Sequence, residues 1–256
     1  MIKNNDFEKQ RFVAMLDVMG TKSLIKSGKG QDVYQLFDII RHEKTEFLDD
    51  SVSINMHSDS FLLYTTDNSM NSYQDIIFTS ARLVEFFLKN GFGVNGCIAH
   101  GECFCSFREN EHITIGQPFV DAHLFQEDLF FYGVVLHDSA LKIVNQQRYS
   151  CDISSIIIHT VVDLKIPSKN NGWCTKYMVN WMEFLDIGNP DLTEQMIKVK
   201  KIIKNLYEKY FNAGRGAIYV QNTELVMKQW YDRIKEQYND CDWGNMLYES
   251  YLTKCP

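Results

Sequence analysis

Phe12-Val13-Ala14-Met15-Leu16-Asp17-Val18-Met19-Gly20 is an unbroken apolar run that closes on one acid and a glycine. Such a run suits a central strand buried on both faces, and the acid followed by a turn through Gly20 sets chemistry at a strand end. A second stretch, Ile54-Asn55-Met56-His57-Ser58-Asp59-Ser60-Phe61-Leu62-Leu63-Tyr64, again places one carboxylate at the edge of apolar, strand-like residues. A bare carboxylate there is costly to keep ionised unless a cation or several donors face it. Two such acids that converge make a cradle for Mg²⁺ or Mn²⁺, hard ions usually held by one or two carboxylates together with the phosphates of a nucleotide. Taken singly, Asp17 also suits a turn or helix cap, and Asp59 a hairpin-tip acid.

Working outward, Val33, Leu36, Phe37 and Ile40 recur at helical spacing and predict an amphipathic helix from about Asp32 to Leu48. Ser53 to Met56 and Phe61 to Thr65 are short extended runs separated by His57-Ser58-Asp59-Ser60, which predicts a hairpin with Asp59 near its tip. A longer helical pattern through Ile76, Ile77, Ala81, Leu83, Val84, Phe86 and Phe87 stops at Asn90-Gly91, a common helix end. Val94 to Cys105 follows as a strand carrying Gly96 and Gly101, whose lack of side chains points to a bulge or a close backbone approach. The order strand, helix, strand, hairpin strand, helix, strand is that of a split βαβ, so the fold class expected is α+β with a ferredoxin-like βαββαβ palm.

Beyond the palm, Gly116 to Leu129 predicts a helix carrying Asp121, His123 and Glu127, and Tyr132 to Leu136 a strand. The later half predicts extended runs at Ser155 to Val162 and Tyr177 to Phe184, a loop over Pro167 to Gly172, and helices near Asp191 to Phe211 and Val220 to Tyr238. No repeat, low-complexity linker or composition break divides the chain. Residues 1–256 therefore read as one elaborated domain, with a core over about residues 10–136 and a C-terminal α/β elaboration over about 137–256.

With 256 residues and 45% hydrophobic content the chain can bury a full core without staples. Its seven cysteines form no CxxC pair and no zinc-type spacing with histidine, which suits reduced thiols in a cytoplasmic protein. A net charge of −7 argues against gripping a nucleic-acid backbone, and no apolar run reaches the length of a membrane span. The polar N-terminus lacks the apolar stretch of a secretion signal. No Gly-x-x-x-x-Gly-Lys-Ser/Thr or Gly-x-Ser-x-Gly occurs, and no Gly-x-Gly-x-x-Gly follows a strand, which disfavours the commonest nucleotide-binding and hydrolase folds. Leu16-Asp17-Val18-Met19-Gly20-Thr21 is similar to the phosphoaspartate motif of haloacid dehalogenase-like phosphatases, but Met19 stands where that chemistry needs its second acid.

Four segments in order resemble the catalytic core of class III nucleotide cyclases: Phe12-Val13 with Asp17 and Gly20, then Ser58-Asp59-Ser60, then Gly96, Ile98 and Gly101, then Ile115-Gly116 with Phe119-Val120-Asp121-Ala122 and Glu127. The nearest likeness is to the Pycsar-type pyrimidine nucleotide cyclases of bacterial antiphage defence. The resemblance implies that Asp17 and Asp59 are catalytic and bind two ions of Mg²⁺ or Mn²⁺, with the backbone carbonyl of Val18 as a further ligand. It also implies a homodimer whose sites form where two palms face each other. Gly20, His57, Ser58, Asn95 and His123 are the nucleotide-binding candidates. Adenylyl and guanylyl cyclases carry Asn-x-x-x-Arg where this chain has Asp121 and Phe125, and Asn55 and Met56 stand where adenylyl cyclases carry a lysine for adenine.

The function expected from these residues is conversion of UTP, or CTP, to the 3′,5′-cyclic monophosphate and pyrophosphate. The cyclic product would act on a separate effector. The alternatives are a cyclase-fold dimer without turnover that senses nucleotides or binds partners, and a purine cyclase.

Overall fold

The computed structural model describes residues 9–42, 51–108, 111–148, 160–186, 192–210 and 214–240. β1 (Gln10–Val18) leads into the short helix α1 (Thr21–Lys26) and then α2 (Gly30–His42). β2 (Val52–His57) and β3 (Ser60–Thr65) form a hairpin, α3 (Met70–Lys89) follows, and β4 (Val94–Arg108) completes the palm. The palm strands lie in the order β2-β3-β1-β4 and are antiparallel throughout. That order, with helices crossing between β1 and β2 and between β3 and β4, is the ferredoxin-like α+β arrangement expected from the sequence.

The double burial of β1 follows from its uninterrupted apolar residues. Phe12, Ala14, Leu16 and Val18 join the main core beneath α2 and α3, whereas Val13 belongs to a smaller cluster on the opposite face with Tyr64 and Cys103. Under α2 and α3 the core is aromatic: Phe37 stacks on Phe61 at 5.1 Å between centroids, and Phe61 meets Phe87 at 5.4 Å. Fully burying Phe61 and Phe87 contributes about 1.5–3 kcal/mol each. α3 begins where the Ser69 hydroxyl accepts the Ser72 N–H, and it ends as the Asn90-Gly91 pair predicts, Gly91 taking a left-handed φ of 75°.

The other face is covered by α4 (Gln117–Asp128), which lies across β1 and β4 and sends Phe119 into the Val13 cluster. β5 (Glu111–Gly116) pairs with the far end of β4, outside the main strand path, and no sequence signal had marked it. The sheet continues from β4 through β6 (Gly133–Leu136), the one parallel neighbour of β4, to β8 (Gly172–Val179) and β7 (Val161–Ser168). α5 (Asp138–Arg148), a 3-10 turn over Trp181–Asp186, α6 (Leu192–Tyr210) and α7 (Arg215–Asp240) complete the described chain.

Two extended runs differ from expectation. The strand expected over Ser155 to Val162 is seen only at its end, since 155–159 lie outside the described residues, and it continues instead through Ser168 with Pro167 paired to Trp173. The run expected to Phe184 leaves the sheet at Val179 and coils into the 3-10 turn, which buries Trp181 completely. Among the described residues no helix is long and apolar enough to cross a membrane.

Candidate functional site

The end of β1 and the β2–β3 turn meet because β3 pairs with β1 down to the register Asp17↔Ser60. The Val18 N–H donates to the Asp59 carbonyl at 2.8 Å, so the turn is tied to the strand end by backbone as well as by side chains. Ser58 holds this two-residue turn with a left-handed φ of 57°, a conformation common in tight hairpins. Past Val18 the chain turns through Gly20, whose φ is 90°, and α1 starts at once. The Tyr210 hydroxyl, from the end of α6, donates to the Met19 carbonyl at 3.1 Å and sits where a Cβ on Gly20 would come within 2.7 Å of it.

Both acids are met by hydroxyl donors. Ser60 Oγ donates to Asp17 Oδ1 at 3.0 Å, Ser58 Oγ to Asp59 Oδ1 at 3.1 Å, and Thr21 Oγ1 to Asp59 Oδ2 at 2.8 Å. The same Thr21 hydroxyl lies 3.4 Å from the Val18 carbonyl oxygen, so that carbonyl and the Asp59 carboxylate face one small region. Burial pushes the Asp17 carboxyl above the ordinary carboxylate value, and the neighbouring charge of Asp59 adds to this against the Ser60 hydrogen bond. Burial also works against the Asp59 charge, but its hydrogen bonds from Thr21, its own N–H and Ser58, helped by Lys22, bring its carboxyl below the ordinary value. Lys22 Nζ stands 4.0 Å from Asp59 Oδ2 on a side chain that is 85% exposed, whereas the Asp59 side chain is only 13% exposed. An exposed lysine at that distance offsets little of the charge of two sheltered acids.

A cleft of about 650 Å³ opens over these acids, lined by Asp17, Asp59, Lys22, His123, Gln126 and Lys169 among others. One wall is α4. The other is the tip of the β7–β8 hairpin, locked to the end of α4 because Asp128 accepts the Ser168 hydroxyl, the Asn170 N–H at 3.0 Å and the Asn170 side-chain amide at 2.6 Å. The Lys169 ammonium donates to the Glu127 carbonyl at the same junction.

Two carboxylates, a backbone carbonyl and hydroxyls make an all-oxygen donor set, which fits a hard divalent ion that takes its remaining ligands from phosphate and water. Among the described residues no group of three or more His, Cys, Asp or Glu side chains is gathered as a metal cage.

The remaining expected residues divide by position. His123 stands on the α4 wall, with Nε2 3.8 Å from Glu127 Oε1. Asn95 neighbours Asp17 in register but is fully buried under Gln126 and does not line the cleft. His57 and Ser58 are exposed at the hairpin end, outside the lining residues, and Gly20 serves the turn. Thr21, Lys22, Gln126, Lys169 and Asn170 were not singled out in the sequence. Thr21 carried a local signal, a hydroxyl directly after the turn glycine, whereas Lys169 reaches the cleft only through the docking of a distant hairpin.

No protein-family model matches the chain, and no curated protein matches its sequence. Among solved structures it is similar to the adenylyl cyclase CyaB from P. aeruginosa, at 10% identity and a TM-score of 0.45 over 67% of this chain and 93% of that one. It is similar at the same TM-score of 0.45 to the monomeric guanylyl cyclase domain of the RhoGC fusion protein from the aquatic fungus Blastocladiella emersonii, with 11% identity over 67% of this chain and 95% of that one. An adenylate cyclase from Trypanosoma brucei matches with 13% identity and a TM-score of 0.43, over 70% of this chain and 92% of that one.

Proposed function

We propose that this protein is a divalent-metal-dependent nucleotide cyclase of the class III kind, acting on UTP or CTP to form the 3′,5′-cyclic monophosphate and pyrophosphate. The observation that carries the reading is the convergence of Asp17 and Asp59, two sheltered acids on separate segments, at the floor of one open cleft. The order and spacing of the four sequence segments that resemble class III cyclases direct it from phosphoryl chemistry in general to cyclisation.

In this reading Asp17, Asp59 and the Val18 carbonyl hold two ions of Mg²⁺ or Mn²⁺. When bound, such ions supply activation of the ribose 3′-hydroxyl and neutralisation of the triphosphate. The chain's own groups do the rest. Thr21 and Ser60 orient the two carboxylates, Lys22 and Lys169 add positive charge at the cleft rim, and His123 faces the bound nucleotide from α4. The clamp between Asp128 and the β7–β8 tip keeps that rim in place.

Pyrimidine preference is supported by Asn55 and Met56, which stand where adenylyl cyclases carry a lysine for adenine. A second copy of the chain belongs to the reading because Val120 and Leu124, four residues apart on α4, are 49% and 59% exposed, an apolar pair suited to a facing palm. The chain is taken as one elaborated unit, since the sheet runs unbroken from β2 to β7. Synthesis of a second messenger in antiphage defence, read by a separate effector, is the biological role proposed.

The test is incubation with each of the four nucleoside triphosphates and Mn²⁺, with cyclic product and pyrophosphate both measured. Dominant cyclic UMP or cyclic CMP supports the proposal. Dominant cyclic AMP or GMP removes the pyrimidine assignment, and saturable binding without product replaces the enzyme by a nucleotide sensor.

A further inference from the structure

Asn95 occupies a place where an apolar residue would serve the fold better. It stands in one cross-strand row with Ser60, Asp17 and Gly133, and all of its surface is sealed from solvent. Gln126 Nε2 donates to its Oδ1 at 2.8 Å, which turns the Asn95 amide so that Nδ2 is left over. Among the described residues that Nδ2 is buried without a hydrogen-bond partner. A buried donor left unpaired costs stability, so its presence calls for another cause.

The next side chain in the row supplies one. Asp17 takes the Ser60 hydroxyl on Oδ1, and that is its only side-chain hydrogen bond among the described residues. Asn95 and Asp17 are directly opposed across β4 and β1, and such side chains have Cβ atoms about 4.5–5.5 Å apart, so the spare amide N–H is a neighbour of the Asp17 carboxylate. An amide at this position leaves the charge of the cradle unchanged. A lysine or arginine there would repel a cation, and a third acid would compete for it.

We infer that Asn95, held by Gln126, is a positioning residue for Asp17, a reserved donor that fixes the orientation of that carboxylate when the cleft takes up a divalent cation. This rests on the reading of Asp17 as a cation ligand. Asn95 touches neither cation nor nucleotide, and Gln126 links the row to α4, so a shift of the helix changes the aim of the acid.

The test uses the full chain and Mn²⁺ alone, titrated by calorimetry, with thermal unfolding measured beside it. Replacing both amides by apolar groups of similar shape, Asn95→Leu with Gln126→Leu, removes the pair without leaving Gln126 Nε2 unpaired, and such exchanges are close to neutral for stability. The expected result is an unchanged or higher Tm with Mn²⁺ affinity weakened about 10- to 100-fold, the usual effect of losing a group that orients a metal ligand. Asn95→Ser, which keeps a short donor, should fold and lose less affinity than the double variant.

Unchanged Mn²⁺ affinity in the folded double variant overturns the inference. So does a Tm lowered by several degrees, or an Asn95→Ser chain as weak as the apolar pair, because the amides would then be structural. A wild-type chain that binds no Mn²⁺ instead overturns the cation reading itself.

Discussion

Replacing Asp17 by asparagine should remove function and strengthen the fold at the same time. The Asp17 carboxyl is raised above its ordinary value of 3.8, first by burial and then by Asp59. A group whose pKa is higher folded than unfolded contributes fully only below the unfolded value, and that contribution is lost as pH rises through the folded value. At pH 7 the ionised acid therefore weakens the fold. Asparagine keeps an oxygen for the Ser60 hydroxyl and carries no charge to desolvate. The gain is on the order of 1 kcal/mol, roughly 2–4 °C in Tm for a chain of this size, and it should vanish as pH falls toward about 4. Turnover should fall by about 10³-fold, equivalent to about 4 kcal/mol of transition-state stabilisation. Initial rates of cyclic product with Mn²⁺ and calorimetric unfolding across pH 4–8 check both halves. Wild-type turnover in the variant refutes the site, and lost turnover with a Tm lowered at pH 7 shows a structural acid.

Thr21→Val removes the shorter of the two side-chain hydrogen bonds to the Asp59 carboxylate at nearly constant shape, so the Asp59 carboxyl should move back up and the acid limb of kcat/KM should shift to higher pH, with little change in Tm. Gly20→Ala meets both a left-handed φ of 90° and the Tyr210 hydroxyl, and should cost about 1–2 kcal/mol, read as a lower urea midpoint. Leu124→Glu on the exposed apolar side of α4 should shift light scattering toward monomer, and activity per protomer should fall with it.

The palm was legible because its signals are local. The apolar run to Asp17, the turn at Ser58-Asp59 and the Asn90-Gly91 stop each depend on neighbours within a few residues, and each recurs in the structure as a strand end, a tight hairpin and a helix cap. β5 was not, because Glu111 to Gly116 is short and needs its pairing with the extension of β4 to be recognised as a strand. Pro167 suggested a loop, yet it sits at the end of β7 beside the turn, where a missing N–H is tolerated. The two acids could be named from their apolar flanks alone. The Lys169 and Asn170 wall could not, since only the docking of β7–β8 onto Asp128 brings it near Asp17.

The hydroxyl of Tyr210 bonded to the carbonyl of Met19 spans 191 residues of chain. On a ribosome, which adds about 5–20 residues per second, the segments bearing both acids emerge several seconds before Tyr210 can hold the turn that follows Asp17. The nascent palm thus forms with its turn held by the Met19 N–H on the Gly93 carbonyl but without this last bond, which waits for the synthesis of α6. A fragment released before that point would carry both acids on a turn that lacks the Tyr210 bond.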